Sequence, residues 1–278
     1  IAYYCSSKIP FYISKCVPIQ NKKLFINQII IANKVRIFAL STFLKTPRIS
    51  IIIPTYNHAP LLKRALISVV SQTFKNWEAV VVDNYSHDNT IEVIKSFNDP
   101  RIIIKQFRNG ASRNIGLKTS KGDYIAFLDS DDEWLPNKLE VIDKYLQNNA
   151  QAVCHGEIWI QGEKEIKRVL YGPVGRSSYK SLLFRGNSMS TSAMTVCRKK
   201  ISEVGGFSED PKFTTVEDYD LWMKLAKENT AFEFHSGFLG KYYLHKTSAS
   251  GSVIKHTKAE FLLLTHHFKE LETKCCFY

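Results

Sequence analysis

At 278 residues, with 44% hydrophobic and 23% charged side chains, the chain has the composition of one globular domain with extensions and not of a disordered or fibrous protein. Its formal net charge of +12 is unevenly spread, since residues 1 to 48 hold eight Lys or Arg and no Asp or Glu. Such a face can meet anionic lipid or phosphorylated substrates, while the absence of a basic–aromatic repeat argues against nucleic acid.

The N-terminal window Phe25 to Leu44 is apolar but carries Lys34 and Arg36 at its centre, which excludes a spanning helix and a cleaved signal. It could lie on a membrane surface. The chain starts at Ile1 and reaches its first methionine at Met189. Residues 1–47 are therefore read as a basic extension of uncertain status, either an incomplete terminus or sequence upstream of a true start. Cys5, Cys16, Cys154, Cys197, Cys275 and Cys276 show no C-x-x-C spacing. That favours a reduced, cytoplasmic setting, with peripheral contact at the inner face of the membrane as a further expectation.

From Arg48 the pattern is regular. Ile49 to Ile53 is a β-branched run ending at Pro54, and Pro60 opens a helix whose apolar positions recur at helical spacing. Trp77 to Val82 is a second buried strand ending at Asp83-Asn84, followed by a helix from about Ser86 to Phe97. Arg101 to Lys105 and a helix from Ala111 to Thr119 come next. The fourth strand lies in Gly122-Asp123-Tyr124-Ile125-Ala126-Phe127-Leu128. Alternating strands and helices predict a mostly parallel, Rossmann-like sheet covered on both faces. Ligands then bind beyond the carboxyl ends of the strands, where Pro54 to Asn57, Asp83-Asn84 and Asp129 to Asp132 all fall.

Asp129, Asp131 and Asp132 bring three carboxylates into four residues. Such a cluster repels itself and calls for a cation. Oxygen donors suit Mg²⁺ or Mn²⁺, although a solvated acidic turn is the plainer alternative. Beyond a helix from Pro136 to about Asn149, strands are expected at Ala152 to Ile160, Ile166 to Leu170, Ser192 to Cys197, Ala231 to Phe234 and Phe238 to Leu244. A helix should begin near Thr215-Val216-Glu217-Asp218, and residues 251–278 form an amphipathic helical tail. Neither G-x-G-x-x-G nor G-x-x-x-x-G-K-[ST] occurs, which argues against a dinucleotide dehydrogenase or a P-loop NTPase.

Six blocks resemble, in order, those of family 2 glycosyltransferases with the GT-A fold. They are Ile51-Ile52-Ile53-Pro54-Thr55-Tyr56-Asn57, Val81-Val82-Asp83-Asn84, Ser112-Arg113-Asn114-Ile115-Gly116, Phe127-Leu128-Asp129-Ser130-Asp131-Asp132, Gly205-Gly206-Phe207 and Glu217-Asp218-Tyr219-Asp220-Leu221-Trp222. The resemblance implies a glycosyltransferase domain over 48–250 with a smaller acceptor-side subregion. It would be a metal-dependent hexosyltransferase, moving a sugar with inversion from a nucleotide sugar, UDP-linked by preference. The acceptor would be a hydroxyl of a surface glycan or a polyprenyl-linked oligosaccharide.

The resemblance also implies roles. Pro54, Thr55, Tyr56, Asn57, Asp83, Asn84, Arg113, Asp129 and Ser130 would surround the nucleotide, with Asp83 at the uracil. Asp131 of the D-x-D motif and His245 would hold the metal. Asp218 would be the catalytic base, with Glu217 and Trp222 on the acceptor side. For Asp218 the rival reading is a helix-start charge, and for His245 a structural histidine. The chain departs from the family after Asp83, where Asn84 and Tyr85 replace an Asp and a Gly, and in a short loop before Arg113. Two other functions stay open at this point: a nucleotidyltransferase that makes nucleotide sugars, and a non-catalytic basic membrane-surface protein.

Overall fold

The computed structural model describes residues 46–107, 112–245 and 253–275. The basic N-terminal extension and the loop just before Arg113 lie outside them. Pro47–Tyr278 forms one compact unit, and Cys154 and Cys197 are free thiols.

The β-branched runs form the parallel half of a sheet. β1 (Ile49–Thr55) lies between β2 (Trp77–Asp83) and β4 (Tyr124–Phe127), and β3 (Ile102–Gln106) borders β2, all parallel. Side chains alternate across this sheet with a period of two. Ile51 and Ile53 join Leu62, Ala65 and Leu66 of α1 (Ala59–Val70) on one face. Ile52 joins Ile125, Phe127 and Trp222 on the other. Two helices complete the crossovers, α2 (Thr90–Ser96) and α3 (Ser112–Thr119). Gly116 lets α3 approach β1, because a Cβ there would stand 2.5 Å from Cγ2 of Ile52.

Antiparallel pairing enters in the second half. Beyond β5 (Glu133–Trp134) and α4 (Lys138–Gln147) come β6 (Ala152–Gln161), β7 (Lys164–Val169) and β8 (Met194–Cys197). β8 runs antiparallel to both β4 and β6. β9 (Phe232–Leu244) is one continuous strand, parallel to β6 and antiparallel to β5. The sequence predicts two strands here, but the interruption at His235-Ser236-Gly237 is absorbed by register shifts around Gly156. The strand order is β3-β2-β1-β4-β8-β6-β9-β5, with β7 on β6.

The remaining helices are α5 (Tyr179–Arg185), α6 (Arg198–Glu203), α7 (Glu217–Lys227) and α8 (Val253–Cys275). α8 is not a detached tail. Its Ala259 and Leu263 belong to the core, and His267 bonds Asp220 of α7 at 2.9 Å. Among the described residues no helix is long and apolar enough to cross a membrane.

Candidate active site

The strand topology decides what can meet. β1, β2 and β4 are parallel, so the loops after Pro54, Asp83 and Leu128 emerge at one sheet edge. β8 is antiparallel to β4, so the turn before it, Thr191–Ala193, begins at that same edge. β9 runs back along β5 and brings Tyr243 and His245 beside Asp131 and Asp132.

On the nucleotide side, Thr55 Oγ1 is buried and has no hydrogen-bond partner, a group free for a ligand. Tyr56 is exposed. Asn57 locks two loops together, accepting from His87 N at 2.7 Å while its own N–H donates to Ser86 Oγ at 2.8 Å. Asn84 N donates to Thr55 O at 3.0 Å. Asp83 is fully buried and accepts from Ser86 N at 3.1 Å and Gln106 Nε2 at 3.1 Å. Enclosed in this way, Asp83 organises its loop. Tyr85 takes up a left-handed φ of 57°, a conformation that glycine adopts without strain. This is why the family's glycine belongs there.

Arg113, on the first turn of α3, joins the two halves. Its guanidinium donates to Asp129 Oδ1 at 2.7 Å and to Glu217 Oε1 at 2.7 Å. Burial opposes its charge, yet Asp129, Glu217 and Asp218 outweigh that and raise its pKa. Asn114 next to it staples two sequence blocks: its Oδ1 accepts from Phe207 N at 3.0 Å, and its Nδ2 donates to Phe207 O at 3.0 Å. Gly206 passes beneath at φ 77°.

The three clustered carboxylates have separate fates. Asp129 pairs with Arg113. Asp131 Oδ2 faces His245 Nε2 at 3.0 Å. Asp132 is buried, accepting from Ser192 Oγ at 2.6 Å and Tyr243 N at 3.1 Å, and it braces the loop. Burial and neighbouring Asp129 push the Asp131 carboxyl up, while His245 partly offsets them. The Asp131 carboxylate is a suitable donor for Mg²⁺ or Mn²⁺, and the imidazole beside it is a group that can ligate a metal ion. Among the described residues no three His, Cys, Asp or Glu converge on one point. The rest of an octahedral shell would come from phosphate oxygens and water.

Asp218 is half-buried at the start of α7. Its Oδ2 accepts from Thr191 Oγ1 at 2.6 Å, and its Oδ1 from Tyr219 N at 2.8 Å. Desolvation and then Glu217 push its carboxyl above the usual range, which makes it a better proton acceptor. Trp222 does not reach the acceptor side. It is fully buried, with its ring edge-on to Phe127 at 6.0 Å, and it anchors α7 to the sheet.

Several contributors are not apparent from the sequence. Ser190, Thr191 and Ser192 each donate to a different carboxylate, at Glu157 (3.1 Å), Asp218 (2.6 Å) and Asp132 (2.6 Å). Burial raises the Glu157 carboxyl to about 7. Ser130 is held by His58, whose Nδ1 lies 3.0 Å from its Oγ. Arg64 donates to Asp131 O and stacks 3.4 Å from the Tyr243 ring centre.

The profile described as "Glycosyl transferase family 2" matches residues 50–206. The chain belongs to glycosyl transferase family 2. Its relatives include the Escherichia coli protein WfgD, named UDP-Glc:alpha-D-GlcNAc-diphosphoundecaprenol beta-1,3-glucosyltransferase. That protein is 34% identical over 222 residues, covering 78% of this chain and 85% of its own. A second E. coli enzyme with the same naming, WfaP, is 29% identical over 212 residues, covering 74% and 81%. Among solved structures, S. aureus TarS 1-349 in complex with UDP-GlcNAc superposes with a TM-score of 0.62 at 19% identity, over 74% of this chain and 61% of that one. The mannosyltransferase PcManGT from Pyrobaculum calidifontis, in complex with GDP-Man and Mn²⁺, gives 0.60 at 19% over 81% and 65%. These structural likenesses establish the GT-A fold. Family membership makes the protein a glycosyltransferase and decides against the nucleotidyltransferase and the non-catalytic readings.

Proposed function

We propose that this family 2 glycosyltransferase moves a hexose, with inversion, from a UDP-sugar to a hydroxyl of a lipid-linked glycan. The observation that carries the reading is Arg113, which ties the strand-end carboxylate Asp129 to the helix-start carboxylate Glu217 and so puts Asp218 beside the donor loops. The two E. coli relatives, named for UDP-Glc and a diphosphoundecaprenol-linked GlcNAc, support the choice of donor and acceptor.

In this reading Thr55, Tyr56 and Asn57 line the nucleotide pocket. Asp131 and His245 would hold a divalent ion. When bound, Mg²⁺ or Mn²⁺ supplies Lewis-acid stabilisation of the leaving diphosphate. Arg113 adds a positive charge beside it. Asp218 takes the proton of the acceptor hydroxyl as that oxygen bonds to the anomeric carbon. The bond from that carbon to the UDP oxygen breaks on the opposite face, its electron pair leaving with UDP. Attack opposite the leaving group inverts the configuration.

The test is single-sugar extension of a GlcNAc-diphosphate-lipid acceptor with UDP-glucose and Mn²⁺, read by mass spectrometry, for the parent chain and Asp218→Asn. Turnover should fall by ~10²–10⁴, the usual worth of a general base, with donor Kd and Tm close to the parent. Near-normal turnover in the folded variant would return Asp218 to the role of a helix-start charge. Absence of any extension across a panel of UDP-sugars would remove the donor assignment.

A further inference from the structure

We propose that the outward face of α8, with the lysine-lined cleft beside it, seats the enzyme on an anionic lipid bilayer. The sequence directs attention to the N-terminal extension as the membrane contact, but the described structure carries a separate surface with its own chemistry.

α8 has two apolar stripes. Ala259, Leu263 and His267 recur every fourth residue and are buried against the core. Ile254, Phe261 and Phe268 recur every seventh, which at 100° per residue places them on the opposite side. They are 84%, 69% and 44% exposed. Phe184 of α5, also exposed, meets Phe268 edge-on with ring centres 6.3 Å apart, so the stripe continues onto a second helix. Nothing in the core needs these side chains, and contiguous exposed apolar surface marks an interaction site.

The surrounding charge is mixed but mainly basic, with Glu209 and Asp210 exposed just before the Pro211–Phe213 turn. Lys255 and Lys258 are exposed on α8, and Lys180 lies one turn before Phe184 on α5. A cleft of about 450 Å³ between the Pro211–Phe213 turn and α8 is lined by Lys212, Lys255 and Lys258 with Thr214 and Leu262, and by no acidic residue. Of the described acids on α8, Glu270 falls toward the docked side by the same angular count and pairs with Lys227, while Glu260 lies on a flank, no farther from the outward stripe than Lys255. The occupant should therefore be apolar in depth and anionic at its rim. Aromatic and aliphatic side chains on one face with flanking lysines are the pattern of a helix lying in a membrane interface.

The position fits the acceptor. His256 of α8 lies 3.3 Å from Thr215 Oγ1, and Thr215 N donates to Glu217 Oε2 at 2.8 Å. Those contacts are made from the docked side of α8, so a bilayer on its outward face lies one helix diameter beyond the acceptor side. The proposal deepens the lipid-linked acceptor reading, but its own test needs neither donor nor acceptor.

The experiment is sedimentation of the full chain with phosphatidylglycerol–phosphatidylethanolamine vesicles, against phosphatidylcholine vesicles. Binding should require the anionic lipid. The pair Ile254→Glu and Phe261→Glu should weaken it at least tenfold with Tm unchanged, since both positions face solvent. Lys255→Glu with Lys258→Glu should remove roughly fivefold per lysine, in a salt-sensitive manner. As a second measurement, Phe261→Trp should gain fluorescence quenching by brominated acyl chains. The proposal is overturned by undiminished vesicle binding in the Ile254/Phe261 pair. It is equally overturned by loss of binding on changing Lys22, Lys23, Lys34 and Arg36 to Ser with α8 intact, or by a dimer that the Ile254/Phe261 pair converts to monomer. If α8 variants keep turnover on a detergent-dissolved acceptor but lose vesicles, the seat stands apart from the chemistry. Vesicle binding retained where no transfer is found would sink the function proposed above and leave the seat intact.

Discussion

Asp218 receives a hydrogen bond from Thr191, and that bond favours the ionised form a base must start from. Desolvation and Glu217 push the carboxyl up, and Thr191 pulls it down. The acidic limb of the turnover–pH profile should therefore lie above ~3.9, the ordinary value for an aspartate, because turnover requires the carboxylate and falls as it gains a proton. In Thr191→Val the restraining bond is gone, so the limb should move to still higher pH. Once ionised, the carboxylate is then the stronger base, so turnover on the plateau should stay close to that of the parent while the limb moves. A limb that stays in place while Tm drops would reduce Thr191 to a packing role. Asp131 gives a separate expectation. Asp131→Asn should keep the fold but lose Mn²⁺-dependent UDP binding, measured by calorimetry with and without chelator. Unchanged metal dependence would remove Asp131 from the ligand set.

Among the elements, α3 shows why two of the sequence blocks travel together. Gly116 lets the helix lie against Ile52, and Asn114 then reaches the backbone of Phe207. Gly116→Ala places a Cβ in that contact, and overpacking of this kind costs ~1–3 kcal/mol. The expected result is a lower Tm with weakened donor binding, since Arg113 rides on the same helix. An unchanged Tm would mean that Ile52 yields freely. The parallel strands were legible because strands buried on both faces are unbroken β-branched runs, as in Ile49 to Ile53. β9 was misread as two strands because polar His235-Ser236 and Gly237 look like a break, whereas the bulge that absorbs them depends on β6. Trp222 shares a helix with Asp218, but it lies one turn deeper, where the apolar face of α7 meets Phe127. Ser190 to Ser192 could not be found at all. A run of small hydroxyls carries no periodic signal, and its role exists only once β8 pairs with β4.

At the scale of the whole molecule, donor loops and acceptor helix belong to different halves of the sheet, and Arg113 is the described side chain ion-paired to both. A guanidinium offers five donors; here Nη2 reaches Asp129, Nη1 reaches Glu217, and the buried Nε has no partner. A diphosphate arriving beside Asp129 competes for the same donors and draws Arg113 away from Glu217. Glu217 in turn restrains Thr215, which sits at a left-handed φ of 81° and would relax once released. The consequence is kinetic. Donor entry should come first and should loosen the acceptor side, so the two substrates add in a compulsory order. Initial-rate patterns should intersect, and UDP should inhibit competitively against the donor and noncompetitively against the acceptor. In Glu217→Gln the pairing is weaker before any ligand arrives, the acceptor no longer has to wait, and the order should become random.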